Sequence, residues 1–379
     1  MRALSGRERV MAAFSSEGTD QFPVVLPYLG IFLRDHRAQI TSVPWWAERA
    51  GDIETRVQVA RHFLEAVPID WKEAGMSQPR AWRARHRVVR EDGRVYLEES
   101  GSGRREELHP DPPGGKQAFP REVQVRTPDD IERLLPVTPA SQMADEGALD
   151  HPRRALAAFG FECFVFATVN APFWLAHNYL TFQGLMLATV EQQELLTRLL
   201  ERLTERELEK VRALAMAGAH GVWIEDCYSG ADLISPAQFR RFALPYVARV
   251  IAEIEGLGMR AVYYFCGDVT GRLEDLVSAR PSALSLEESK KGFRIELAEV
   301  AEVVRGRCAL LGNLDAIHLL ERGGDEALRQ AVAAQAEVGR RWPRFAFSLG
   351  SPVTALTPVS RVCRFIDLAR ERADAAAGR

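Results

Sequence analysis

The sequence predicts an α/β protein built as a (β/α)8 TIM barrel, with a β-hairpin excursion in its N-terminal half. Three observations carry that expectation. From about residue 155 onward, short apolar runs alternate with longer amphipathic ones. The apolar runs are continuous rather than alternating, which marks strands buried on both faces, and parallel strands need helical crossovers between them. Six such units are legible in the second half of the 379 residues, and closure into a barrel accommodates that many. An open doubly wound sheet is the alternative, but no GxGxxG follows an early strand.

In chain order, "FPVVLPYLG" near residue 22 reads as a first strand. Residues 80 to 150 then leave the pattern. "AWRARHRVVREDGRVYLEES" is two alternating segments around Asp92-Gly93, a hairpin signal. "HPDPPGGKQAFP" is a proline- and glycine-rich loop, and "TPDDIERLLP" a short capped helix. This stretch is expected to be an excursion within a single domain spanning 1–379, because its apolar content is thin. The repeat follows: "CFVFATV" before a helix from about Glu191 to Met216, "GVWIED" before Pro236 to Glu255, and "RAVYYFC" before "TGRLEDLVS". "SALSLE" precedes Ile295 to Val304, "CALLGN" precedes Asp325 to Val338, and "FAFSLG" precedes Val359 to Arg372. Ser235-Pro236 and Thr357-Pro358 each set a capping hydroxyl before a proline suited to a first helical turn. "RERADAAAGR" reads as a solvated tail.

Composition excludes several classes. A net charge of −3 with interspersed signs offers no basic surface for nucleic acid. The apolar stretches fall well short of the roughly 20 residues a membrane span needs, and "MRALSGRERV" has no apolar leader. A cytoplasmic location is therefore expected, with a small molecule as partner and a homodimer among the assemblies allowed. Cys163, Cys227, Cys266, Cys308 and Cys363 are odd in number and form no CxxC, so neither a disulfide framework nor a zinc ribbon is expected. Trp45, Trp46, Trp71 and Trp82 are candidates for a pocket wall or for packing.

Catalytic groups in such barrels lie just beyond the carboxyl ends of the strands, so the residues after each apolar run are the candidates. They are Asn170, His177, Asn178 and Tyr179; Glu225, Asp226, Cys227 and Tyr228; Tyr264, Cys266 and Asp268; Glu287, Glu288, Lys290 and Lys291; Asn313 and Asp315; and Ser351. Thiolates beside carboxylates suit a soft metal such as zinc. A thiolate alone suits a nucleophile, with Cys266 activated by the helix expected after Gly267.

"NAPFWLAHNYLTFQG", "GAHGVWIEDCYSGADLISPAQFRRFALPYVARVI", "CALLGNLDAIHLL" and "FSLGSPVTALTP" together resemble the uroporphyrinogen decarboxylase superfamily. That superfamily includes methylcobamide:thiol methyltransferases and, more distantly, cobalamin-independent methionine synthase. The resemblance implies a (β/α)8 barrel. In the decarboxylases, paired N-terminal arginines bind substrate carboxylates and a histidine occupies the motif that here reads "LGSPV"; this chain has Arg34 and Arg37 further along and Ser351 in the motif. In the methyltransferases a His-x-Cys and a later cysteine hold zinc. The equivalent positions here are Tyr264, Cys266 and Ser351, while Glu288, 22 positions after Cys266, stands where the methionine synthase relatives place a metal-binding glutamate.

The leading expectation is thus a methyl or alkyl transferase acting on a thiol or corrinoid, with a corrinoid protein as a candidate partner. Cys266 and Glu288 would be metal ligands, Asp226 the acid or base, and Tyr264 and His177 would orient substrate. Asn178, Tyr179, Glu225, Cys227, Tyr228, Asn313 and Ser351 would contact it. The alternative is decarboxylation of uroporphyrinogen or another carboxylated ring, with Asp70 or Asp226 as the working carboxylate and no cofactor. A non-catalytic corrinoid- or tetrapyrrole-binding protein is a third.

Overall fold

A computed structural model of the chain describes residues 4–113, 120–290 and 292–376. Lys291, part of the loop "HPDPPGGKQAFP" and the last residues of the tail lie outside these. Among the described residues the strands are β1 (Trp71–Glu73), β2 (His86–Glu91), β3 (Arg94–Glu99), β4 (Arg105–Leu108), β5 (Phe164–Asn170), β6 (Gly221–Asp226), β7 (Arg260–Phe265), β8 (Ala283–Leu286), β9 (Ala309–Leu311) and β10 (Phe345–Ala346).

Seven of them form one parallel sheet in the order β1-β5-β6-β7-β8-β9-β10. The segment around Val24 closes the ring. Val24 bridges Phe347 in parallel, Phe347 N donates to Pro23 O at 2.8 Å, and Asp70 N donates to Val24 O at 2.9 Å. The expected strand in "FPVVLPYLG" therefore shrinks to one bridge, because Pro23 and Pro27 have no N–H to give to a ladder. β1 was not expected at all. Its Lys72 and Glu73 hide it from an apolar-run reading, yet Lys72 is buried with its ammonium 5.1 Å from the Phe63 ring centre.

The six strands of the second half fall where the apolar runs predict. The hairpin forms as expected too: β2 and β3 pair antiparallel, with Asp92 and Gly93 both at positive φ (49° and 76°), as a two-residue primed turn requires. β4 adds a third strand to this small sheet. The helix from Pro236 is capped by Ser235, runs to Gln238, loosens into a π turn over Phe239–Ala243 and resumes at Leu244–Gly256. Pro245 lies at that junction, where its missing N–H forces the ladder to adjust. "NAPFWLAHNYLTFQG" belongs to a helix, Pro172–Glu191, kinked at Thr181 (φ 64°).

Asp70 lies apart from the other candidate residues. It precedes β1 and so sits at the opposite, amino-terminal end of the barrel. Its buried carboxylate accepts from Val24 N at 2.6 Å and Arg370 Nη2 at 2.7 Å and pairs with Arg9. It fastens the first helix, Gly6–Ala13, and the last, Val359–Ala376, to the barrel floor. Among the described residues no helix is long and apolar enough to cross a membrane.

Candidate active site

Strand alternation decides which tips face the barrel axis, because successive side chains point to opposite faces. Register pairs Glu225 with Tyr264 and Asp226 with Phe265. Trp223 and Tyr264 point inward and stack with ring centres 4.9 Å apart. Tyr28 packs edge-on against both, and Trp71 against Trp223 at 5.7 Å. These rings form an aromatic plug inside the barrel. One step further along the same faces come Glu225, Cys227 and Cys266, which therefore project into the mouth above the plug.

There they meet. The Cys227 and Cys266 sulfurs are 3.1 Å apart, Cys227 Sγ donates to Glu225 Oε1 at 3.4 Å, and Tyr28 Oη donates to the same oxygen at 3.1 Å. Tyr28 Oη is also 3.9 Å from Cys266 Sγ. Burial raises the Glu225 carboxyl above the ordinary range, although the bonds from Cys227 and Tyr28 oppose it. The Cys227 thiol is raised first by its bond to Cys266 and then by burial. Glu73, at the tip of β1, accepts from Thr168 Oγ1 at 2.7 Å and adds a second carboxylate to the mouth. Sequence reasoning missed both Tyr28 and Glu73, the first because its strand is a single bridge, the second because β1 went unread.

The adjoining part of the rim, beyond β8, is built by Glu287, Glu288, Lys290 and Ser351. Lys290 Nζ lies 2.5 Å from Glu287 Oε1 and donates to Ser351 Oγ at 2.6 Å. Ser351 Oγ lies 2.9 and 2.8 Å from the two Glu288 oxygens. Gly267 N donates to Glu287 Oε2 at 2.8 Å, which fixes the turn directly after Cys266. Gly267 is at φ 99°, and a Cβ there would stand 2.8 Å from Asp232 Oδ1. A Cβ on Gly350 would stand 2.3 Å from Glu288 N, so only glycine lets the two loops approach; Tyr264 Oη donates to Gly350 O at 3.0 Å.

Several of the expected residues face away from the mouth or are engaged by other groups. Asp226 is fully buried and points away from the mouth, bonded by Ser229 Oγ and by Tyr263 Oη at 2.8 Å. Alternation gives Glu225, not Asp226, the facing position. Tyr264 reaches the barrel interior, but its hydroxyl is spent on Gly350. Tyr179 faces the outer helices, its hydroxyl accepting from Arg206 Nη1 at 2.8 Å. Asn313 ties down a loop, donating to Glu287 O and Ile295 O at 3.1 and 3.0 Å. Among the described residues His177 reaches the site through Tyr228, ring centres 5.0 Å apart, with Nδ1 on Trp174 O and burial lowering its pKa. Asn178 is half-buried beside it, and among the described residues none of the bonds defining the mouth involves it. The helix expected after Gly267 begins only at Leu273, too far on to activate Cys266.

The donors do not fit the expected zinc site. Ser351 holds Glu288 and Lys290, the Tyr264 hydroxyl is engaged, and a lysine ammonium sits against Glu287 and 3.5 Å from Glu288. Among the described residues no group of three or more His, Cys, Asp or Glu side chains is placed to hold a metal ion.

Beside the mouth lies a cavity of about 510 Å³, lined by Tyr28, Glu73, Arg34, Arg37, Trp45 and Arg49 among others. Arg34 and Arg37 thus do reach a pocket despite their later position in the sequence. Each is held by an acid: Arg34 Nε by Asp35 at 2.7 Å, Arg37 by Glu48 at 2.6 Å, and Arg49 by Asp111 at 3.1 Å.

A closed parallel barrel with its polar side chains gathered at the carboxyl ends of the strands is a (β/α)8 barrel whose site lies at that mouth. A family model described as uroporphyrinogen decarboxylase (URO-D) matches residues 114–372, and the chain belongs to that family. Similar curated proteins include the uroporphyrinogen decarboxylase of Desulfotalea psychrophila, 29% identical over 180 residues (48% of this chain, 50% of the relative). That of Mycolicibacterium gilvum is 28% identical over 233 residues (57% and 60%). The chain thus matches only about half to three-fifths of the length of these relatives. Among solved structures, a methyltransferase from Methanosarcina mazei superposes with a TM-score of 0.68 over 97% of this chain and 99% of its own, at 18% identity. That likeness supports the barrel fold.

Proposed function

We propose that this chain is a group-transfer enzyme, moving a methyl or alkyl group between a corrinoid or related donor and a thiol at the Glu225–Cys227–Cys266 mouth. The observation that carries the reading is the convergence of two thiols, a carboxylate and a phenol on one opening above a hydrophobic plug. Transfer to a thiol needs the acceptor as thiolate. In this reading Glu225, its pKa shifted toward neutrality, accepts the proton of the acceptor thiol. The thiolate sulfur then attacks the methyl carbon; the new S–C bond forms as the bond from carbon to the donor breaks, its electron pair leaving with the donor. In this reading the Cys266 thiol holds the acceptor sulfur, the Tyr28 hydroxyl keeps Glu225 in position, and the aromatic plug keeps water from below. A corrinoid would arrive free or on a corrinoid protein.

The test is to incubate purified protein with methylcobalamin and a panel of small thiols and follow thioether formation by mass spectrometry. Methylated thiol at rates well above the protein-free control is expected. No transfer with any pairing sinks the reading.

The arginines of the adjacent cavity favour one second reading, decarboxylation of a carboxylated ring, since fixed guanidiniums pair well with carboxylates. Stepwise loss of carboxyl groups from uroporphyrinogen would establish it. Tetrapyrrole binding without turnover in either assay would point instead to a binding protein.

A further inference from the structure

Of the five cysteines, Cys227 and Cys266 alone stand within reach of each other. Cys163 and Cys308 are buried, and burial pushes each thiol up to about 12. Cys363 donates to Ala66 O. Cys227 and Cys266 follow directly on the paired residues Asp226 and Phe265, and Cys266 N donates to Asp226 O at 2.8 Å, so the two cysteines are neighbours across adjacent parallel strands. Such strands lie about 4.8 Å apart, inside the roughly 4.4–6.8 Å between Cα atoms that a disulfide spans. Their sulfurs, 3.1 Å apart, need to close by only about 1 Å to reach bonding distance. Both side chains are partly exposed at the mouth, so a small oxidant can reach them.

We infer that Cys227 and Cys266 form a reversible dithiol–disulfide site. With a small disulfide such as oxidised glutathione as oxidant, one protein thiol, as its thiolate, attacks a glutathione sulfur and releases one glutathione. The second protein thiol, on losing its proton, displaces the other glutathione from the mixed disulfide. The protein gives up two electrons and two protons, and the glutathione disulfide becomes two glutathiones. Closing the bond draws Cys227 off Glu225 and Cys266 off Tyr28, and removes both S–H donors from the mouth. Bond formation does not depend on the proposed reaction; the loss of turnover that should accompany it does.

The folded, full-length protein is equilibrated across a series of reduced and oxidised glutathione ratios, quenched in acid, alkylated, and its free thiols counted by mass. The five free thiols of the reduced protein should fall by two in a single step, a peptide carrying Cys227 should be found linked to one carrying Cys266, and dithiothreitol should restore both. Cys227→Ser should abolish the linked peptide. Retention of all five thiols in the most oxidising buffer, or loss only as glutathione adducts or at other cysteines, overturns the inference. Methyl transfer is measured on aliquots withdrawn from the same equilibrations before the quench, so a disulfide that forms without changing turnover would count against the proposed reaction and not against the bond.

Discussion

Tyr28 Oη donates to Glu225 Oε1 across the barrel mouth at 3.1 Å, joining the segment that closes the barrel to the tip of β6. The same carboxylate oxygen accepts from Cys227, so one buried acid carries a phenol and a thiol at once. Burial raises the pKa of that acid and of Tyr28, and the bond to Cys266, with burial, raises that of Cys227. The mouth is thus a place where protons are held tightly and few groups ionise without a partner.

Glu225→Gln should lower turnover by about 10²-fold or more, the usual worth of a positioned acid or base, with a smaller change in substrate affinity. In the wild type the lower limb of the pH–rate profile should lie above the ordinary glutamate range. Steady-state rates between pH 4 and 9 check both; an unchanged profile in the variant contradicts the role.

Asp226 makes the contrast, since it is as acidic in sequence terms but faces away. Asp226→Asn should reduce turnover at least tenfold less than Glu225→Gln. Its effect on stability should depend on pH. Burial raises the folded-state pKa of Asp226, so its contribution to stability is fully present below the unfolded value of about 3.9 and is lost as pH rises through the folded value. The asparagine variant carries no such loss and should gain on the wild type from pH 4 to pH 8. Urea melts at the two pH values measure this, and a pH-independent difference would refute it.

How far the site could be read in advance turns on these two residues. The sequence places Glu225 and Asp226 together at a strand tip, but which of them faces inward follows from register against β7 and from the direction of Trp223. Alternation alone leaves that sense open. The six later strands were legible because each is apolar on both faces. β1 was not, because its outward Lys72 is accommodated over Phe63 of the preceding helix and its inward Glu73 by Thr168 of the next barrel strand, contacts that an apolar-run reading does not show. The thiols were legible as candidates, but their pairing was not. Nor could sequence show that Ser351 and Lys290 occupy Glu288.

If the cavity beside Tyr28 receives an anionic substrate, Arg37→Ala should raise KM about tenfold while leaving kcat within a factor of two or three, the signature of binding that is equal in ground and transition states. An unchanged KM for every charged substrate that turns over would remove the cavity from the account.

Asp70→Asn should act on stability alone. Removing the charge leaves Arg9 and Arg370 facing a neutral amide at the barrel floor, and breaking a buried pair costs about 3 kcal/mol or more. The thermal midpoint should drop clearly, while turnover per folded molecule at 25 °C stays at the wild-type level. A loss of turnover without a loss of stability would return Asp70 to the site.

The most direct check on the mouth as the reactive centre is the initial rate of methyl transfer from methylcobalamin to the best thiol acceptor, compared between wild type and Cys266→Ala at equal folded concentration. A fall of about 10²-fold with the thermal midpoint largely kept is the predicted result. A Cys266→Ala protein that transfers methyl groups at the wild-type rate would contradict the account.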